Sequence, residues 1–358
     1  MRIRRVAIVF DNTARPETTG THVKQALDEL VARGELDEVV HFLPGDLERP
    51  AARPFDLYLV IDDGRGFAPT AQCRPAAYWT IDTHLGFEER LEMARRFDFV
   101  FAAQKRGARE LAERGISSAR WLPLAANPAV HRKHDLPKRY DFVFAGNLFP
   151  GPRSEIVELA RQYHRNSFVG RAYFDDMARV LSEAKVGLNP SVGDDVNMRF
   201  FEVPACGTLL LGNALPDSGQ AELLQPGRHF ETYASGAEML DKLKFYLSRD
   251  ELRERIAAAG QSEVLARHTY GHRIGELLAV VERVEGTGDR LQGIAGGGRE
   301  RGKKERGARR QESEGNGRTS AELGTPSAER NGNKRSLVED QRSQEPGVRS
   351  QESEGNGR

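Results

Sequence analysis

Short apolar runs alternate with polar or amphipathic stretches along this chain, and the alternation begins a second time midway. Runs at 6–10, 39–43, 57–61, 77–81, 97–101 and 120–124 are rich in Val, Ile, Leu and aromatic residues. Each is short and reads as a strand, the first of them buried. Residues 22–33 carry Val23, Ala26, Leu27, Leu30 and Val31 at helical spacing, and 108–114 forms a second helix. Strands joined by such crossovers build a parallel, doubly wound sheet.

The pattern restarts after Pro123, Pro128 and Pro137, which punctuate a polar connector at 131–139. A strand at 140–145 leads into a turn at 146–151 and a helix at 154–163. Then follow a strand at 167–169, a helix at 174–183, a strand at 186–189, and a short helical segment leading into a strand at 208–211. Helices fill 237–247, 249–259 and 270–284. The fold class expected is α/β, with two Rossmann-like domains, 1–130 and 140–284, joined by a linker at 131–139 and facing a cleft.

From residue 285 Gly, Arg, Glu, Ser, Asn and Gln dominate, and no aromatic residue follows Tyr270. The octapeptide at 311–318 recurs unchanged at 351–358. Such a segment cannot bury enough apolar area to offset chain entropy, so 285–358 is expected to be a disordered tail. Its basic cluster, Lys303, Lys304, Arg306, Arg309 and Arg310, reads either as a contact for an anionic partner or as a solvated extension.

Composition narrows the function. Lys and Arg number 53, as do Asp and Glu, so no net field favours nucleic acid or a membrane surface. Two cysteines, Cys73 and Cys206, make neither a disulfide framework nor a zinc cluster, which suits a reducing cytoplasm. The apolar run at 6–10 is too short for a signal-peptide core, and no run approaches the roughly 20 residues of a membrane span. A soluble, cytoplasmic protein is expected.

The most informative segment lies at 194–211. Polar Asp194, Asn197, Arg199 and Glu202 stand within a few turns of one another, and Cys206-Gly207 then turns the chain into a buried strand. Residues 197–207 read Asn-Met-Arg-Phe-Phe-Glu-Val-Pro-Ala-Cys-Gly. This resembles the nucleotide-binding half of GT-B glycosyltransferases, particularly the bacterial spore-maturation CgeB-like group. Residues 140–148, Tyr-Asp-Phe-Val-Phe-Ala-Gly-Asn-Leu, resemble that family's second-domain opening strand and turn. His268-Thr269-Tyr270 with Arg273 resembles its closing helix. The similarity covers 140–284 well and 1–139 loosely.

The resemblance implies transfer of a sugar from a nucleotide-sugar donor, with a UDP-sugar foremost, to a hydroxyl of a carbohydrate, protein or small-molecule acceptor. It implies no metal and no other cofactor. In the related retaining enzymes the second of two glutamates eight positions apart binds the donor ribose. Glu202 takes that place, while the first place holds Asp194 instead of Glu. On its residues alone, Glu202 could equally cap its helix or pair with Arg199. Arg199 or Arg171 would neutralise the donor diphosphate, a guanidinium suiting two phosphate oxygens at once, or Arg199 would form a structural ion pair. Gly146 and Asn147 would bring backbone amides near an anion or sugar, or simply make a tight turn.

In the first half, Asp11-Asn12 and 20–22 occupy the place where the family keeps a loop facing acceptor and donor phosphates. His84 or Asp82 could take the proton of an acceptor hydroxyl, and His22 is a weaker alternative. Asp62-Asp63 could chelate a cation or form a solvated strand end. Cys206 reads as a small buried residue. Two rival functions fit the same residues: a nucleotide-sugar epimerase, and a non-enzymatic assembly protein that keeps the fold.

Overall fold

A computed structural model describes residues 2–46, 54–62 and 69–287. Six strands form the first sheet: β1 (Arg5–Val9), β2 (Glu38–Phe42), β3 (Leu57–Ile61), β4 (Ala76–Thr80), β5 (Phe99–Ala102) and β6 (Ala119–Trp121). All pair in parallel, in the order β2-β1-β3-β4-β5-β6. Every residue of β3, β4 and β5 is buried, as expected of central strands covered on both faces. The crossover helices include α1 (Thr19–Ala32), α2 (Phe87–Ala94) and α3 (Lys105–Glu113).

The second sheet contains β7 (Tyr140–Ala145), β8 (Ser167–Gly170), β9 (Ala184–Asn189), β10 (Leu209–Asn213) and β11 (Glu231–Tyr233). It too is wholly parallel, ordered β11-β10-β9-β7-β8. Its helices are α4 (Pro152–Tyr163), α5 (Phe174–Ser182), α6 (Arg199–Ala205), α7 (Gln220–Leu223), α8 (Gly236–Leu247) and α9 (Asp250–Arg267). In each sheet the strand order reverses beside the first strand, between β1 and β3 and between β7 and β9. Ligands of open α/β sheets bind at the carboxyl ends of strands at such reversals.

The expected GT-B-like architecture is present: two parallel α/β sheets, each flanked by helices. Several boundaries differ from the sequence reading. The run at 120–124 leaves the sheet after Trp121, and Leu122 and Leu124 instead fill the core as extended chain. The helix expected to stop at 259 continues through Gly260 to Arg267. A β-carbon on Gly260 would collide with the carbonyl of His229, so this glycine permits close packing and does not end the helix. The helices α2 and α7 and the strand β11 were not anticipated.

The final helix, α10 (Tyr270–Thr287), departs most from the expected domain division. Sequence placed it with the second lobe; it packs on α1 of the first. Ile274, Leu277 and Val281 are fully buried there, and the Ile3 amide donates to Glu282 Oε1 at 2.8 Å. Arg273 anchors its start, donating from Nε to the Pro123 carbonyl at 2.9 Å. One apolar cluster consequently runs through both lobes, and both sheets lie in a single compact unit. The helix also takes up 285–287, which sequence gave to the tail. The rest of that tail, 288–358, and Asp63 lie outside the described residues. Among the described residues no helix is long and apolar enough to cross a membrane.

Candidate functional site

Arg199 opens α6 and lies at the β7/β9 reversal. Its Nε donates to Asn189 Oδ1, at the end of β9, at 3.1 Å. Its Nη1 donates to the Ala145 carbonyl, at the end of β7, at 3.3 Å. The guanidinium stands 5.2 Å from the centre of the Phe144 ring. Gly146 makes room for it: a β-carbon there would lie 2.5 Å from Arg199 Nη1. Two residues that sequence singled out separately therefore form one feature, a cation seated on the glycine turn after β7. The structural alternative, an ion pair for Arg199, is not found among the described residues.

Arg153, in the first turn of α4, was overlooked in the sequence. It is half-buried, and its Nε donates to the Pro190 carbonyl at 3.0 Å. Burial pushes the Arg199 guanidinium down to about 10, and the positive charge of Arg153 adds to that shift. Arg153 is itself lowered by burial. Neither guanidinium has an ion-pair partner among the described residues. Asp195 attracts both guanidiniums and Glu202 attracts Arg199, yet neither carboxylate closes an ion pair with them, so these partly desolvated cations are suited to an added anion.

Asn197 is buried and supports Asn189, donating to its Oδ1 at 3.3 Å and to Ser191 Oγ at 2.7 Å. It orients the residue that holds Arg199 and so serves the site from behind. Asp194 faces the other way, accepting from Arg106 Nη1 of α3 at 3.2 Å across the lobes. The acidic residue eight positions before Glu202 is thus engaged by the first lobe.

Glu202 lies in the first turn of α6 and is 4% exposed. Its Oε1 sits 3.4 Å from His131 Nε2, a residue that sequence assigned only to the connector. Burial raises the Glu202 carboxyl to about 7, with Arg199 pulling it the other way. Neither a helix cap nor an Arg199 ion pair describes it. Asn147 and Arg171 are exposed on the loops after β7 and β8, apart from the buried groups.

On the first lobe, β4 ends in Asp82 and a short turn, Thr83–Leu85. Asp82 is half-buried and His84 is exposed. A β-carbon on Gly193 would lie 3.7 Å from His84 Cδ2, so His84 reaches the β9–α6 loop of the opposite lobe. Gln104 joins the two sides: its Nε2 donates to Asp195 Oδ1 at 2.9 Å, and its Oε1 accepts from Thr83 Oγ1 at 3.0 Å. Burial raises both Asp82 and Asp195, and for Asp82 the charge of Asp195 adds to it.

Other expectations change. His22 is buried and stacked on Tyr270 with ring centres 5.7 Å apart, and burial lowers it to about 4. It cannot meet an acceptor at the surface. Asp62 is not a solvated strand end, because Arg90 Nε donates to its Oδ2 at 3.0 Å and Thr80 Oγ1 donates at 2.9 Å. Among the described residues no cluster of three or more His, Cys, Asp or Glu is placed to hold a metal ion. Cys206 is fully buried, and burial raises its thiol.

Comparison with known proteins bears on the fold. Residues 129–279 match a family described as glycosyl transferase-like. Curated protein sequences yield no match. Among solved structures, Alr3699/HepE of Anabaena in complex with UDP and glucose is 13% identical, with a TM-score of 0.54 over 77% of this chain and 100% of that one. Sucrose-phosphate synthase of Thermosynechococcus elongatus is 13% identical, with a TM-score of 0.55 over 79% and 100%. An α-glucosyltransferase in complex with UDP-glucose and abasic DNA is 10% identical, with a TM-score of 0.55 over 77% and 99%. Identities this low establish the fold alone. The chain thus has a GT-B-like fold, and its residues 129–279 are similar to the glycosyl transferase-like family.

Proposed function

We propose that the protein transfers a hexose from a nucleoside-diphosphate sugar to an acceptor hydroxyl, as a cytoplasmic enzyme of the CgeB-like kind. The observation that carries this reading is the pair Arg153 and Arg199, two cations without ion-pair partners at the strand-order reversal of the second sheet. A diphosphate would supply the direct ion-pair contact that Asp195 and Glu202 do not make. When the bond between the anomeric carbon and the phosphate oxygen breaks, the electron pair stays on the diphosphate. Guanidiniums fixed beforehand stabilise that growing charge without reorganising. This assigns the charge-neutralising role to the chain's own side chains and invokes no metal.

Gly146 keeps the approach to Arg199 open. The ionised Glu202 accepts hydrogen bonds from the donor ribose, and Asn197 keeps Asn189 and hence Arg199 in place. The acceptor oxygen forms the new bond to the anomeric carbon, and its proton passes to a base on the first lobe. Asp82 is the preferred base, because its raised pKa brings it nearer the working pH. His84 beside it is the alternative. Arg171 and Asn147, exposed on the loops after β8 and β7, are further candidates to meet the nucleotide. A UDP-sugar is the proposed donor, a choice supported by the UDP and UDP-glucose complexes of the structural neighbours.

A thermal-shift series with UDP-, GDP-, ADP- and TDP-sugars tests the proposal. One nucleotide class should raise the melting temperature of the wild-type protein and fail to raise that of Arg199→Ala. Absence of a shift with every nucleotide would remove the reading.

A further inference from the structure

His131 lies between the sheets, on the stretch joining β6 to β7, and its side chain is fully buried. Its Nδ1 accepts the backbone N–H of Asn127 at 3.0 Å. A ring nitrogen that accepts leaves the proton on the other, so the neutral ring carries its hydrogen on Nε2. That Nε2 has no hydrogen-bond partner among the described residues, and it lies 3.4 Å from Glu202 Oε1, just outside hydrogen-bond geometry. A small movement of the carboxylate would complete the bond.

The same histidine is tied to the first lobe. The Asn127 side-chain amide meets His22 Nδ1 at 3.2 Å and also donates to Gln25 of α1. The rings of His22 and His131 lie 5.2 Å apart. A buried polar chain thus runs from α1 through Asn127 and His131 to the carboxylate on α6.

We infer that His131 is a positioning residue, whose Nε2–H holds one oxygen of Glu202 so that the other meets the donor ribose. This rests on the proposed function in its ligand but not in its geometry. With Oε1 turned to His131, Oε2 is the oxygen for a ribose hydroxyl, and the connector between the lobes sets its direction. Burial, with help from His22, lowers His131 to about 3, so the ring stays neutral and cannot hold Glu202 as a full ion pair. The groups facing Glu202 are Arg199 and Cys206 of its own helix, His131 of the connector and Tyr270 of α10. A neutral donor favours the ionised carboxylate without competing with the ligand for it.

The test compares wild type with His131→Phe, His131→Gln and Glu202→Gln by two measurements. One is calorimetric binding of UDP, GDP, ADP and TDP. The other is the carboxyl titration of Glu202, followed by NMR with carbon-13 glutamate and assigned by loss of its signal in Glu202→Gln. His131→Phe should weaken nucleotide binding about tenfold and move the Glu202 midpoint upward. His131→Gln, which retains an N–H donor, should recover most of both. An unchanged midpoint in His131→Phe overturns the inference, as does unchanged nucleotide affinity when Glu202→Gln loses it. Should wild type bind none of the nucleotides, the proposed function falls, and the titration alone decides the role of His131.

Discussion

Arg199 occupies the space that a side chain at position 146 would need: a β-carbon on Gly146 would lie 2.5 Å from Arg199 Nη1. The backbone at Gly146 belongs to the sheet edge, its amide donating to the Gly170 carbonyl at 2.8 Å. Substitution there therefore acts on the guanidinium and spares the strand. Gly146→Ala should displace Arg199 from the Ala145 carbonyl and weaken nucleoside diphosphate binding about tenfold, the scale of one charge-assisted hydrogen bond. The melting temperature should change by only a few degrees. Calorimetric titration and thermal unfolding of this single variant check both outcomes.

Arg153 and Arg199 should respond differently to removal. Arg199 anchors itself to Asn189 and Ala145, so Arg199→Ala loses internal hydrogen bonds along with the ligand contact. Arg153 makes one such bond, to the Pro190 carbonyl, and repels Arg199. Arg153→Ala should therefore leave the ligand-free protein as stable as wild type or more so, while weakening diphosphate binding about tenfold or more. Denaturant unfolding with and without the diphosphate separates the two effects. A destabilised ligand-free Arg153→Ala would mean that the cation serves the fold.

The raised Glu202 carboxyl makes a prediction about pH. Its value rises from 4.5 to about 7, so between those limits the folded state binds more protons than the unfolded one. Stability from this group is full below about 4.5 and is lost as pH rises through about 7. Glu202→Gln abolishes the titration. Its stability relative to wild type should therefore increase from pH 4.5 to pH 7.5, by roughly 1–3 kcal/mol. His131, lowered to about 3, and His22, lowered to about 4, lose stability as pH falls, and they do so in both proteins. Comparing the two proteins at each pH cancels them. Affinity for the nucleotide sugar, which in the proposed function depends on the ionised carboxylate, should rise between about pH 6 and 8 in wild type and stay level in the variant.

Much of the fold could be read in advance because strands buried on both faces leave continuous apolar runs. The missed elements lack that signature. The helix α2 buries only Leu91 and Ala94 among charged residues, and β11 is three residues long with Glu and Thr in it. The return of α10 to the first lobe is invisible for another reason: an apolar stripe announces burial but not which surface buries it. The grouping of Asn197, Arg199 and Glu202 on and beside α6 was legible because their positions neighbour one another in sequence. Arg153 was not, since an Arg in a first helical turn reads as solvent-facing until the strand-order reversal is known. His131 was equally hidden, because its partner lies on another element and only the folded chain joins them.

The first-lobe acid–base groups offer the last prediction. Burial and the charge of Asp195 raise the cost of ionising Asp82, while Asp195, itself raised by burial, is relieved by Gln104, which donates to it. A base whose pKa lies nearer the working pH accepts a proton more readily than an ordinary surface carboxylate. Asp82→Asn should therefore lower kcat about 100-fold, with little change in donor KM, since the proposed diphosphate site is on the opposite lobe. His84→Ala removes an exposed ring beside Gly193 and should lower kcat much less. The two rates, measured with one donor and acceptor pair, decide between them: if His84→Ala is the slower enzyme, the proton goes to the imidazole. A parallel effect on donor KM in Asp82→Asn would instead make its carboxylate part of the lobe contact through Asp195.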